Sequence, residues 1–248
     1  MEISSQLATI GDVPVSPPRA GFACLAAVVG LGLATPERAP PPAIDIIARG
    51  AHPASVAAVR GLLSEMRLTA RLQERLREAR LSIVIVPRRV PLTDVPQFAS
   101  LRGTRTFDGR LWDRVRGTGG MRLLDGRVGV AIPEENLFGF PDDVYPSLAI
   151  AVHEIAHAIH DRVLTAGDKR AIELAYRARI KSGEAFTDNY ARSNVREYFA
   201  QGANAFFGRY PGREYRDAAW LYEHDRPLYT ALVRVFGAPR PGPVTGRT

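Results

Sequence analysis

Ala151-Val-His153-Glu154-Ile-Ala-His157-Ala-Ile-His160 is the stretch from which the rest of this 248-residue chain is read. It follows the helix-limiting Pro146, and from Ser147 to about Leu164 the residues Leu148, Ile150, Val152, Ile155 and Ile159 recur at helical spacing. Two histidines four residues apart on a helix project from one face about one turn apart, which brings two imidazoles to a single Zn²⁺. Glu154, offset by one residue, is placed to hold a water on that ion instead of coordinating it. The bland alternative is a pair of surface histidines on an amphipathic helix. The apolar setting argues for a buried helix.

A hydrolytic zinc site needs a third protein ligand and an open position for water. A third histidine six residues beyond His157 would mark a metzincin, but that position is Val163, which excludes the class. His160 shares the ligand face. Three ligands on consecutive turns of one straight helix diverge along its axis, so His160 is expected to line the site, and Asp161 is the weaker candidate for that role. A further candidate donor is Glu197, in Asp188-Asn-Tyr190-Ala-Arg-Ser-Asn194-Val-Arg-Glu197-Tyr-Phe-Ala-Gln201. Asn194 with Glu197 three residues later also reads as a capping box for the helix that follows. Helix physics alone weighs capping and ligation equally, and it makes Tyr190 a packing aromatic ahead of the cap.

The two-part pattern, His-Glu-Ile-Ala-His and then Tyr190-Ala-x-x-Asn194-x-x-Glu197-Tyr-Phe-Ala-Gln, resembles the anthrax lethal factor-like zinc metallopeptidases of gluzincin type. More distantly, it resembles Mlc titration factor A. The resemblance extends back through Thr93-Asp94, Asp108-Gly-Arg-Leu-Trp-Asp113, Arg116-Gly117 and Pro133-Glu-Glu-Asn136, over residues 60–210. It implies a zincin-like fold, Glu197 as third ligand beside His153 and His157, Glu154 as catalytic base, and Tyr190 as a catalytic tyrosine. One departure stands out. Where this family often has a second glutamate four residues after the ligand, this chain has Gln201, which can hydrogen-bond but carries no charge.

Outward from the motif, Pro53–Arg80 carries Val56, Val59, Leu62, Leu63, Met66, Leu72 and Leu76 at helical spacing, as one amphipathic helix with a break near Leu68-Thr69. Ser82–Pro87 is short, β-branched and stopped by proline, hence a buried strand. Met121–Ile132 places two apolar runs around Asp125-Gly126, a dipeptide suited to the positive φ angles of a tight hairpin. A further helix starts near Asn194 and carries Phe199, Ala203, Phe206 and Phe207. Helix, strands, then helices make the class α+β. The boundaries expected are an N-terminal segment 1–42, a catalytic domain 43–236 and a flexible tail 237–248.

The formal charge of +7 suggests an acidic partner until its position is read. Residues 1–130 hold 18 Lys+Arg against 11 Asp+Glu, whereas residues 131–248 hold 15 of each. The excess lies away from the motif, among acids on solvated helix faces and with no aromatic-studded basic stretch, so no nucleic-acid partner is expected. Gly21–Ala34 is an apolar run of signal-peptide length, preceded by Arg19 and followed by the proline-rich Thr35–Pro42. Export to the cell surface or medium is the expectation; an uncleaved membrane anchor and a cytoplasmic protein with a buried apolar segment are the alternatives. The single cysteine, Cys24, says little about compartment.

These readings converge on a zinc-dependent hydrolase of peptide or protein substrates. A non-catalytic secreted zinc-binding or interaction module on the same scaffold is the alternative. Extended peptides commonly add to a sheet edge. The Met121–Ile132 hairpin is the expected edge, and Val130→Pro is expected to block it.

Overall fold

The computed structural model describes residues 44–138, 148–210 and 216–239. The described residues fall within one compact unit, Pro40–Thr248. The apolar run 21–34, the N-terminal segment and most of the tail lie outside the described residues. Among the described residues no helix is long and apolar enough to cross a membrane.

The chain order is β1 (Asp45–Ile47), α1 (Ser55–Met66), α2 (Ala70–Glu78), β2 (Leu81–Val86), β3 (Thr118–Arg122), β4 (Val128–Pro133), α3 (Glu135–Phe138), α4 (Ala149–Arg162), α5 (Ala166–Ser182), α6 (Val195–Phe206), α7 (Ala218–His224) and α8 (Arg226–Phe236). The class is α+β as expected: a four-stranded mixed sheet, then helices. The amphipathic stretch 53–80 does break where its pattern falters. Arg67 turns left-handed (φ 43°) to end α1, and the Thr69 hydroxyl accepts from Leu72 N–H at 3.2 Å to start α2.

Sheet order is β1-β2-β4-β3, with β1, β2 and β4 parallel and β3 antiparallel to β4. Both faces of the sheet are covered. Ile83, Ile85, Val130 and Ile132 pack with Val152, Ile155 and Ile159 of α4 and Phe199 and Ala203 of α6. On the other face Val84, Val86 and Ala131 meet Leu92, Val95 and Phe98. Two covered faces explain why β2 and β4 are buried at every position and read as continuous apolar runs.

The hairpin exists, with two differences from expectation. Gly126 takes positive φ (79°), whereas Asp125 does not. Leu123 N–H donates to Arg127 O at 2.9 Å and Gly126 N–H to Leu123 O at 2.9 Å, a longer connection than a two-residue turn. More consequentially, of the hairpin's two strands only β3 lies at an edge of the sheet. Val130 sits in β4, between β2 and β3, and is fully buried. Val130→Pro would therefore disrupt the sheet itself and says nothing about substrate binding; within the hairpin it is Thr118–Arg122 that has a free side.

The later helices hold α6 in place. Tyr198 donates its hydroxyl to Asp225, at 2.9 Å from each carboxylate oxygen, and Arg179 Nε of α5 lies 3.2 Å from the same group. Asp225 also caps α8 by accepting from Leu228 N–H. The residue after Glu197 is thus anchored to α5 and α8 at once.

Candidate metal centre

α4 lies flat against β3, and two glycines make that contact possible. A Cβ at Gly119 would stand 1.9 Å from Glu154 O and 2.9 Å from His157 Cβ, closer than packed atoms tolerate. At Gly117 it would stand 3.2 Å from Glu154 Oε1, so the Glu154 carboxylate hangs directly over the chain entering β3. The sequence reading singled out Gly117 and missed Gly119. The signal was present in Gly117-Thr-Gly119-Gly120, since glycine within a strand marks close approach of another backbone.

Along α4 the two imidazoles meet as the spacing requires. The rings of His153 and His157 lie 4.5 Å apart, nearly perpendicular, with their Nε2 atoms 3.0 Å apart. α6 brings the third group. Asn194 Oδ1 accepts from Arg196 N–H at 3.0 Å and from Glu197 N–H at 3.1 Å, so the helix start is capped. The Glu197 side chain does not return to the cap. Its Oε2 stands 3.1 Å from His153 Nε2 and 3.2 Å from His157 Nε2. Capping and ligand geometry are therefore shared out between the backbone and the side chain of Glu197.

These three donors lie within 4.8 Å of one another. Zinc bonds of about 2.0–2.2 Å in tetrahedral geometry put neighbouring donors about 3.4 Å apart, close to the spacing found. Glu197 is only 2% exposed, and its buried Oε2 makes no well-aligned hydrogen bond, facing only the two imidazole nitrogens. Buried acceptors are normally satisfied. A cation accounts for both the convergence and the orphaned oxygen, and two histidines with one glutamate are a donor set that leaves zinc an open position.

Charge follows the same logic. Burial would raise the Glu197 carboxyl, but the facing His153 and His157 rings outweigh it and hold the group at about 2. Burial opposes protonation of His153, yet Glu197 and Glu154 lift it above its ordinary 6.5. Glu154 is pushed up by loss of solvation, only partly offset by the two histidines. Tyr190, 41% exposed, has its ring 6.1 Å from that of His153, and burial with the Glu197 charge pushes its phenol up to about 12.

His160 is buried against Phe199 and bonds Asp161, Nδ1 to Oδ1, at 3.1 Å. Asp161 is gripped by Arg196 at 3.0 and 2.7 Å, so neither is a ligand here and both brace α4 against α6. Gln201 donates from Nε2 to Asp188 Oδ2 at 2.9 Å, a partner that the sequence reading did not identify.

No protein-family model matches the chain, and no curated protein matches it either. Among solved structures it is similar to the Pro-Pro endopeptidase PPEP-2 from Paenibacillus alvei, with a TM-score of 0.55 and 19% identity over 78% of this chain and 97% of that one. The architecture that the motif resemblance implied is thus the one found: this chain has the zincin-like α+β fold seen in that endopeptidase.

Proposed function

We propose that the protein is a zinc-dependent peptidase of the anthrax lethal factor-like kind, with His153, His157 and Glu197 as metal ligands, Glu154 as general base and Tyr190 as a hydrogen-bond donor to the reacting carbonyl. The observation that carries the reading is the convergence of three donors from two helices, His157 and Glu197 buried and His153 half-buried, with a carboxylate oxygen that faces only the two imidazoles. Zinc held there would polarise a peptide carbonyl and lower the pKa of water to about 7. The likeness to an enzyme described as an endopeptidase supports peptide bonds as the substrate class.

The chain's own residues divide the remaining work. Glu154 sits one position from a ligand and faces the glycine entrance to β3, so its carboxylate can accept a proton from the attacking water and return it to the leaving amine. Its raised pKa suits a group that must both take up and release that proton. A phenol held protonated donates a hydrogen bond without becoming an anion, and Tyr190 would do so where charge develops on the carbonyl oxygen. An extended substrate backbone would pair along the free side of Thr118–Arg122, beside α4. Export remains part of this reading on the strength of the apolar run 21–34.

The test is metal analysis of the purified chain together with cleavage of a random peptide library, using Glu154→Gln as control. The expected result is zinc in both proteins and turnover only with Glu154. Equal cleavage by both, or zinc-loaded wild type that cleaves nothing, would remove the reading.

A further inference from the structure

Tyr190 belongs to an exposed turn, and among the described residues no hydrogen bond holds its hydroxyl. Its placement is therefore set by its backbone. That backbone is tied down from several sides. Tyr190 O accepts from Ser193 N–H at 3.0 Å and from Ser193 Oγ at 2.7 Å. Tyr176 of α5 donates its hydroxyl to Arg192 O at 2.8 Å. Asp188 Oδ1 accepts from Ala191 N–H at 2.7 Å, closing the turn around Tyr190.

The other Asp188 oxygen leaves the turn and reaches α6. Gln201 Nε2 donates to it at 2.9 Å, and Gln201 is itself fixed by Asn204 Nδ2, which donates to its Oε1 at 2.9 Å. Gln201 and Asn204 are 8% and 2% exposed. Gln201 lies one helical turn after Glu197 on the same face. One short chain of bonds thus references the Tyr190 turn to the helix that carries the third metal donor.

We propose that Asp188 and Gln201 are a pair of positioning residues that set Tyr190 against the metal centre, an inference that rests on the peptidase reading above. The pair also accounts for the amide at position 201. A carboxylate there would face Asp188 at hydrogen-bonding distance, where two like charges cannot both stay ionised.

The experiment uses the full chain loaded with zinc. Gln201→Glu sets two acids against each other. Combining Gln201→Glu with Asp188→Asn restores the bond with its direction reversed, because an amide at 188 can still accept from Ala191 N–H while donating to a carboxylate at 201. Three quantities are read: bound zinc, library cleavage split into kcat and KM, and amide hydrogen exchange over residues 189–193. Gln201→Glu is expected to keep its zinc, to lower kcat about 10- to 100-fold with little change in KM, and to speed exchange in the turn about tenfold. The double variant is expected to recover both. In a Tyr190→Phe background, Gln201→Glu is expected to change kcat less than about twofold, since the two effects share one route. Unchanged exchange and kcat in Gln201→Glu, loss of zinc from it, or no recovery in the double variant would each overturn the proposal. If zinc-loaded wild type cleaves nothing while exchange follows the expected pattern, the peptidase reading fails and the tether stands.

Discussion

Two helix starts in this molecule carry the same local signal and use it differently. At α5, Thr165 and Asp168 close a reciprocal capping box: the Thr165 hydroxyl accepts from Asp168 N–H at 3.0 Å, and the Asp168 carboxylate accepts from Thr165 N–H at 3.2 Å. At α6, Asn194 caps Glu197 N–H in the same way, but the acid turns from the helix start toward two imidazoles. An acid at the third position of a helix, like Asp168, satisfies an orphan N–H at once. One that gives up that bond while buried has been recruited elsewhere. The difference separates a carboxylate used by its own helix from one left free for the proposed metal more sharply than motif spacing does.

The severest way to break this comparison is to truncate each acid. Glu197→Ala is expected to remove zinc and reduce peptide cleavage at least about 1000-fold, because the polarisation supplied by a metal is worth several kcal/mol. Its helix start should survive, since Asn194 still caps it; far-UV circular dichroism checks this. Tyr190→Phe ranks next. It should keep zinc and lose about 100-fold in kcat, the usual scale for one oxyanion donor, as steady-state kinetics would show.

A pH titration of metal-free protein sharpens the comparison further. The Glu197 carboxyl is held at about 2 against an ordinary 4.5, so its contribution to stability is present above 4.5 and is lost as pH falls toward 2. His153 is shifted upward, so its contribution is full below 6.5 and is lost as pH rises through the folded value. The contribution of this pair to the Tm measured in chelator should therefore peak between about 4.5 and 6.5. Glu197→Gln should flatten that peak. Asp168→Ala completes the set with the smallest effect: about 1 kcal/mol of stability lost in urea unfolding, and unchanged turnover.

Much of this was legible in the sequence because the informative signals were local. The His153–His157 spacing, the Asn194 cap, the break before Thr69 and the buried run Ser82–Val86 each depend on a few neighbouring residues. Strand order does not. The continuous apolar run of β4 is the mark of a strand covered on both faces, yet it was read as half of an exposed edge because its partner β2 lies more than forty residues earlier. The three-residue β1 was too short to show a period. α5, although Thr165 and Asp168 announce it, and α7 and α8 are absent from the sequence expectations. At the site, neither the need for Gly119 nor the role of Asp188 is legible in the sequence, for one reason. Each matters through a contact with a residue distant in sequence, Gly119 under Glu154 and Asp188 beside Gln201.

The account rests on one cation shared by His153, His157 and Glu197. Zinc stoichiometry and affinity measured for the wild-type chain and for Glu197→Ala test it most directly. One tightly bound zinc per wild-type chain, with binding weakened at least about 100-fold in the variant, is the predicted result. Wild-type affinity in Glu197→Ala would contradict it.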